Sequence, residues 1–182
     1  MKAWKRIEPT TVHKVGHRII VSKTFEQPDG TIVPWDVVFP DGQQFVNVVA
    51  LTPDNHVVVC ETFRPGPEMV MQELPGGFVD EHEALEAAVR RELLEETGYV
   101  ADTLEYLGVS HRDPYMNAAW HYFLGTSCTY QQARDTHEVE EQIDVKLITI
   151  DQLLANARND RMCAVDGVLY AYDKLLKLKE KR

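Results

Sequence analysis

Apolar and polar residues alternate along much of the first third of the chain, which is the period-2 pattern of half-buried strands. Residues 17–26 and 31–39 alternate, and residues 44–51 and 57–63 form two further β-like runs. Turn-forming sequences separate these runs: Pro28-Asp29-Gly30, Pro40-Asp41-Gly42 and Pro53-Asp54-Asn55. The pattern therefore predicts a series of strands joined by turns.

A helical period follows the tight loop at Gly76-Gly77. Its apolar residues are spaced three and four apart: Ala84, Leu85, Ala88, Val89 and Leu93. The spacing predicts a helix that ends near Thr97, with Gly98 as its left-handed cap. Three more strands are predicted over residues 104–110, 121–125 and 144–150, then a short helix from Asp151 and a closing helix from about residue 160 to 179. This order indicates an α+β fold with a mixed sheet between helices.

Three glutamates, Glu92, Glu95 and Glu96, share one face of the predicted central helix. Like charges at this spacing repel by a few tenths of a kcal/mol per pair, and the end of a helix dipole is negative. Arg91 offsets only part of this charge. A hard divalent cation such as Mg²⁺, which takes oxygen ligands, would stabilise the cluster. The alternative is a solvated acidic face with a few Arg–Glu pairs.

Composition narrows the classes of function. The length of 182 residues suits one domain. The net charge of −10 argues against non-specific nucleic-acid binding, which needs a basic surface. Its three cysteines are far apart and indicate neither a disulfide framework nor a zinc site. There is no apolar run of membrane-spanning length, so we expect no membrane partner and a cytoplasmic location.

The spacing of Gly77, Glu83, Arg91, Glu92, Glu95, Glu96 and Gly98 resembles the Nudix box, G-x5-E-x7-R-E-U-x-E-E-x-G-U. Only Tyr99 departs, in place of a bulky aliphatic residue. The resemblance implies an α-β-α sandwich over residues 46–182, preceded by a β extension over residues 1–45. It also implies Mg²⁺, with Mn²⁺ able to substitute, held by the Gly76 carbonyl and by Glu92, Glu95 and Glu96, with Arg91 in the catalytic set.

A second acidic cluster, Glu138, Glu140 and Glu141, precedes the strand predicted at residue 144. By composition it is a solvated loop. In ADP-ribose pyrophosphatases of the Nudix family, a loop before the same strand supplies a metal ligand and a general base. The resemblance therefore implies Glu141 as a metal ligand and either Glu138 or Glu140 as the base.

Further segments resemble the ADP-ribose pyrophosphatase branch. Pro114 lies fifteen residues after Tyr99, and the segments 61–65 and 73–77 resemble R-Q-Y-R-P and E-L-P-A-G. The resemblance implies a nucleoside diphosphate sugar as substrate and a homodimer whose N-terminal strands cross between subunits. The implied substrate-binding residues are His17, Trp35, Asp36, Arg64, Phe78 and Pro114. Trp35 is alternatively a packed or partly exposed strand residue, and Arg64 alternatively a member of a surface ion pair.

The segment after the box departs from that branch, which usually carries S-P-G-x-S/T-x-E. Residues 112–119 read R-D-P-Y-M-N-A-A, without the glycine and the acidic residue and with Tyr115 and Asn117 added. The loop faces the terminal sugar in the family, so a hexose nucleotide is an open alternative to ADP-ribose. Dinucleoside polyphosphates, NADH, oxidised nucleotides and a non-catalytic nucleotide-binding module also stay open.

Overall fold

A computed structural model describes residues 1–16, 18–132 and 142–180 of the chain. The described residues form three helices, α1 (Leu85–Thr97), α2 (Ile150–Arg158) and α3 (Asp166–Lys179). The strands are β1 (Lys5–Val15), β2 (Arg18–Glu26), β3 (Ile32–Leu51), β4 (His56–Arg64), β5 (Met69–Glu73), β6 (Gly76–Phe78), β7 (Tyr99–Val100), β8 (Thr103–Ser110), β9 (Met116–Thr126), β10 (Thr129–Tyr130) and β11 (Ile143–Thr149).

The chain divides into two compact units. Unit 1 combines residues 1–44 with residues 111–119, and unit 2 combines residues 45–110 with residues 120–182. Because β3 and β9 each cross a boundary between these ranges, each of the two strands contributes residues to both units.

Unit 1 is built on three antiparallel strands, with β2 paired to β1 on one side and to β3 on the other. In this register Trp35 lies opposite Lys23, and Asp36 lies opposite Ser22. The turn predicted at residues 28–30 is confirmed, and it includes a hydrogen bond from the Gly30 N–H to the Gln27 carbonyl, 2.9 Å. Strand β1 was not predicted, because most of its side chains are exposed and its sequence lacks an apolar alternation.

The chain reversal predicted at Pro40-Asp41-Gly42 is wrong. Strand β3 continues through these residues. Phe39 and Gly42 have positive φ angles of 73° and 83°, which interrupt the regular pleat as bulges do. The turn-forming residues therefore bend a long strand instead of ending it.

The sheet of unit 2 has a buried core on each face, and alternate residues of β3 and β4 point to opposite faces. One core joins this sheet to α1 and includes Val46, Val48, Ala50, Val58, Ala88, Val89 and Leu93. The other joins it to α2 and α3 and includes Val49, Leu51, Val57, Val59, Leu153, Leu154, Val168, Ala171 and Leu175. These layers confirm the predicted α+β sandwich.

The helix ends follow local chemistry. Helix α1 ends at Thr97, and Gly98 has the predicted left-handed conformation with φ 76°. Helix α3 begins at Asp166, later than the predicted residue 160, because Asp160 and Ala164 both have positive φ angles. Among the described residues, no helix is long and apolar enough to cross a membrane.

Candidate active site

The candidate site lies where β6 leads towards α1 in unit 2. Strand β6 pairs with β3, so Gly77 lies opposite Val46. A Cβ atom on Gly77 would come within 2.5 Å of the Glu92 carboxylate, and one on Gly76 would come within 2.0 Å of the Val46 carbonyl oxygen. The two glycines therefore let the loop approach both the sheet and the helix more closely than any other residue allows.

Arg91 is the centre of this site, and all five of its N–H donors are used. Its Nε and one Nη2 donor reach the two oxygens of Glu83, at 3.1 and 2.9 Å. The Nη1 donors reach Glu92 at 2.9 Å and Glu95 at 3.1 Å, and the remaining Nη2 donor reaches the Phe78 carbonyl at 2.9 Å. One guanidinium thus connects three carboxylates of the box to the loop before the helix.

Glu92 is a largely buried carboxylate, with a side chain that is 13% exposed. Burial raises its pKa, and the hydrogen bond from Arg91 lowers it in part. By contrast, the hydrogen bond from Arg91 lowers the pKa of Glu83. These carboxylates in turn raise the pKa of Arg91, which stays protonated. Burial of Glu92 favours any further positive charge placed beside it.

Glu96 and Glu95 have different surroundings on the same helix. A Glu96 oxygen accepts a hydrogen bond from the Gly76 N–H at 2.8 Å, which ties the end of α1 to the loop. The Glu95 side chain is half exposed and pairs with Arg91. The structure therefore brings the predicted box residues and Gly76 together at one place.

The oxygen ligands at this place suit a hard divalent cation. The buried charge of Glu92 also fits one, because a cation would compensate a carboxylate that the fold has taken out of water. Within the described residues, no group of three His, Cys, Asp or Glu side chains is already arranged to hold a metal ion. Arg91 holds Glu92 and Glu95 instead.

Four predicted site residues, His17, Glu138, Glu140 and Glu141, lie outside the described residues. Their roles therefore stay predictions.

Arg64 and Phe78 have defined partners in unit 2. Arg64 donates from Nε and Nη2 to the two oxygens of Glu73, which is the ion pair that the sequence left open as an alternative. The Phe78 ring is 51% exposed and its centroid lies 4.4 Å from that of Phe45, which stacks on the buried Trp120 at 4.8 Å.

Trp35 and Asp36 lie in unit 1 on opposite faces of the hairpin, because successive strand residues alternate. The Asp36 carboxylate accepts a hydrogen bond from Ser22 at 2.5 Å, whereas the Trp35 ring lies 5.6 Å from the ring of Tyr115. Tyr115 follows the predicted Pro114 directly. The contact with Trp35 was missed, although the departure of residues 112–119 from the family pattern had singled out Tyr115.

Asp41 is a second feature that sequence reasoning missed, since it was assigned to a turn. Its carboxylate accepts hydrogen bonds from Arg6 at 2.7 Å, Lys23 at 2.8 Å and Asn117 at 2.7 Å. Lys23 is only 7% exposed. Asp41 thereby connects the hairpin strands to residues 111–119.

Residues 43–165 match the NUDIX domain family, and this match covers more than half of the chain. The chain belongs to the Nudix family. A methanol dehydrogenase activator of Bacillus methanolicus is 26% identical over 75% of this chain and 74% of its own. An ADP-ribose pyrophosphatase of Bacillus subtilis is 27% identical over 71% of this chain and 69% of its own.

The structure also resembles a crystal structure of an ADP compounds hydrolase, with a TM-score of 0.76 and 17% identity, over 98% of this chain and 97% of that one. This likeness confirms the Nudix fold. The intact box and the family match identify a Nudix hydrolase.

Proposed function

We propose that this Nudix hydrolase cleaves the diphosphate linkage of ADP-ribose or a related nucleoside diphosphate sugar. The products would be a nucleoside monophosphate and a sugar phosphate. The observation that carries the proposal is the complete set of box carboxylates gathered around Arg91 and Gly76. The similarity to a bacterial ADP-ribose pyrophosphatase supports this substrate class.

The residues that would hold Mg²⁺, or Mn²⁺ in its place, are Glu92, Glu95, Glu96, Glu141 and the carbonyl of Gly76. When bound, the cation would neutralise phosphate charge and lower the pKa of a bound water.

The protein's own groups have separate tasks. Arg91 positions Glu92 and Glu95, and the Gly76 N–H positions Glu96. Glu138 or Glu140 would accept the proton of the attacking water as general base. Arg64 would reach a phosphate only after leaving Glu73, or would keep the adjoining strands β4 and β5 in register through that ion pair.

Substitution of the box glutamates tests this proposal. We expect Glu95→Gln and Glu96→Gln each to lower kcat for ADP-ribose by about 100-fold or more, since a bound metal supplies several kcal/mol. Hydrolysis is followed by chromatography with ADP-ribose, ADP-glucose, GDP-mannose, UDP-glucose and NADH in Mg²⁺. The matched control is Glu86→Gln, an exposed glutamate of the same helix that pairs with Arg90.

Full activity of both variants, with melting temperatures close to that of the unaltered protein, would contradict the metal assignment. Binding of these nucleotides by the unaltered protein without turnover would favour the non-catalytic nucleotide-binding module instead.

A homodimer is the second part of the proposal, with residues 1–45 crossing to the other subunit so that Trp35 serves the partner's site. The sedimentation equilibrium of the purified protein at micromolar concentration should give about twice the monomer mass of 20.8 kDa. A monomer under these conditions would contradict the crossing. The cytoplasmic location stays a prediction.

A further inference from the structure

The aromatic pair of Trp35 and Tyr115 stands out in unit 1. Both side chains are substantially exposed, at 40% and 52%. Their ring centroids are 5.6 Å apart and their planes are inclined by 33°. Large exposed rings beside each other are typical of a surface that binds another flat molecule.

The backbone of Tyr115 is fixed on both sides. Its N–H donates to the Asp113 side chain at 2.7 Å, and its carbonyl accepts from the N–H of Val38 at 2.8 Å. Two residues later, Asn117 donates to Asp41 at 2.7 Å. The tyrosine is therefore presented to Trp35 from a segment that β3 holds in place.

The geometry points to a single aromatic platform rather than a slot. A base inserted between two rings needs about 7 Å between them, because each stacked contact takes about 3.5 Å. Rings 5.6 Å apart leave too little space for it. A base that uses both rings would instead lie across them.

The family resemblance already implies that Trp35 stacks on the base of the nucleotide. We propose that Tyr115 completes this platform and that the platform prefers purines. A bicyclic purine covers more of a two-ring surface than a pyrimidine and so removes more apolar area from water. The proposal rests on the proposed function for the diphosphate chemistry. It assigns Tyr115 to the base end of the substrate, whereas the family resemblance places its loop at the terminal sugar.

This assignment does not depend on which subunit's metal site the platform serves. Trp35 and Tyr115 belong to the same compact unit. If the N-terminal strands cross to a second subunit, Tyr115 accompanies Trp35.

Steady-state kinetics of Tyr115→Ala test the platform. Stacking contributes about 1 kcal/mol or more per base, so KM for ADP-ribose should rise about 5-fold or more. We expect kcat to stay within about 2-fold, because the ring would contact the base and not the diphosphate that reacts. The rise in KM should be the same for ADP-glucose, which shares the base, and smaller for UDP-glucose.

Three variants control for structural damage. Tyr115→Phe keeps the ring and should match the unaltered protein, whereas Tyr115→Leu keeps bulk without a π-face and should behave like the alanine variant. Tyr130→Ala removes an exposed tyrosine of unit 2 whose ring centroid also lies 5.6 Å from another ring, that of the half-buried Tyr99, and should leave KM unchanged. Equal KM values for Tyr115→Leu and the unaltered protein would overturn the proposal.

Two outcomes separate the platform from the proposed reaction. AMP carries the base without a terminal sugar, so its affinity, measured by calorimetry, reports on the platform alone. A loss of about 5-fold or more in Tyr115→Ala supports the platform even if the unaltered protein hydrolyses no nucleoside diphosphate sugar. Unchanged AMP affinity, no AMP binding at millimolar concentration, or a KM effect that follows the terminal sugar would overturn it.

Discussion

At the scale of single residues, the two glycines of the loop have different constraints. A Cβ atom at Gly76 meets backbone atoms of Val46 and Asn47, which cannot move away. At Gly77 it meets only the carboxylate of Glu92, which is the end of a side chain. Gly76 is therefore needed for the packing of the fold, and Gly77 is needed for the position of the Glu92 carboxylate.

We expect Gly76→Ala to lower the free energy of unfolding by about 2 kcal/mol or more, as overpacking does. Gly77→Ala should change stability by less than about 1 kcal/mol, yet it should lower kcat because Glu92 must leave its place beside Arg91. Urea denaturation and hydrolysis assays measure the two effects. Gly66→Ala is the control, since its Cβ would meet nothing within 4 Å. Equal losses of stability at both positions would contradict this distinction.

The box residues were predictable because their spacing alone places them on one helix face. The partner of Arg64 was not, because an ion pair between residues of two strands depends on register. Likewise, sequence offered for Trp35 both a packed or partly exposed strand position and a ligand-binding role, and it could not show that Tyr115 lies beside it.

At the scale of elements, α2 depends on its first residues. Thr149 accepts a hydrogen bond from the Gln152 N–H at 3.1 Å, and the Gln152 side chain accepts one from the Thr149 N–H at 2.8 Å. This capping box satisfies N–H groups that have no partner within the helix. Helix α2 also contributes Leu153 and Leu154 to the core that it shares with α3.

Thr149→Ala should therefore lower the free energy of unfolding by about 1 kcal/mol, the usual effect of losing such a cap. Thr149→Ser retains the hydroxyl and should stay close to the unaltered protein. Urea denaturation of the three proteins gives the comparison. An equal loss in the serine and alanine variants would show that packing of the methyl group, and not the cap, stabilises this end.

Periodicity predicted elements well where one face is buried and poorly elsewhere. Helix α1 and the strands around β4 have strongly buried faces, and their sequences show it. Strand β1 is mostly exposed, and the bend in β3 uses the same residue types as a true turn. Such features depend on pairing partners that a local pattern does not contain.

At the scale of the whole molecule, the carboxylate of Asp41 connects several elements of unit 1. It accepts hydrogen bonds from Arg6 of β1, Lys23 of β2 and Asn117 of β9. Glu8 forms an ion pair with Arg6. The hydrogen bond from Lys23 is the first cause that lowers the pKa of Asp41, followed by those from Arg6 and Asn117. The charge of Asp41 therefore stabilises the folded state.

A lowered folded pKa gives stability that is complete above the unfolded value of about 4 and disappears as pH falls through the folded value. We expect Asp41→Asn to cost about 1 kcal/mol at neutral pH, a figure reduced for the solvent exposure of Asp41. The difference from the unaltered protein should be constant between pH 6 and 8 and shrink below about pH 4. Thermal melts across pH measure it, with Asp102→Asn, an exposed aspartate of unit 2, as control. A difference that grows on acidification would contradict the assignment.

Because all five N–H groups of Arg91 are used, the site tolerates few substitutions. Lysine has no fork of donors and cannot replace the guanidinium at four separate acceptors. A change at Glu83 alone would leave two donors without their acceptor, and a change at Gly77 would push Glu92 out of reach. A single substitution at any of these positions is therefore expected to disturb several hydrogen bonds at once.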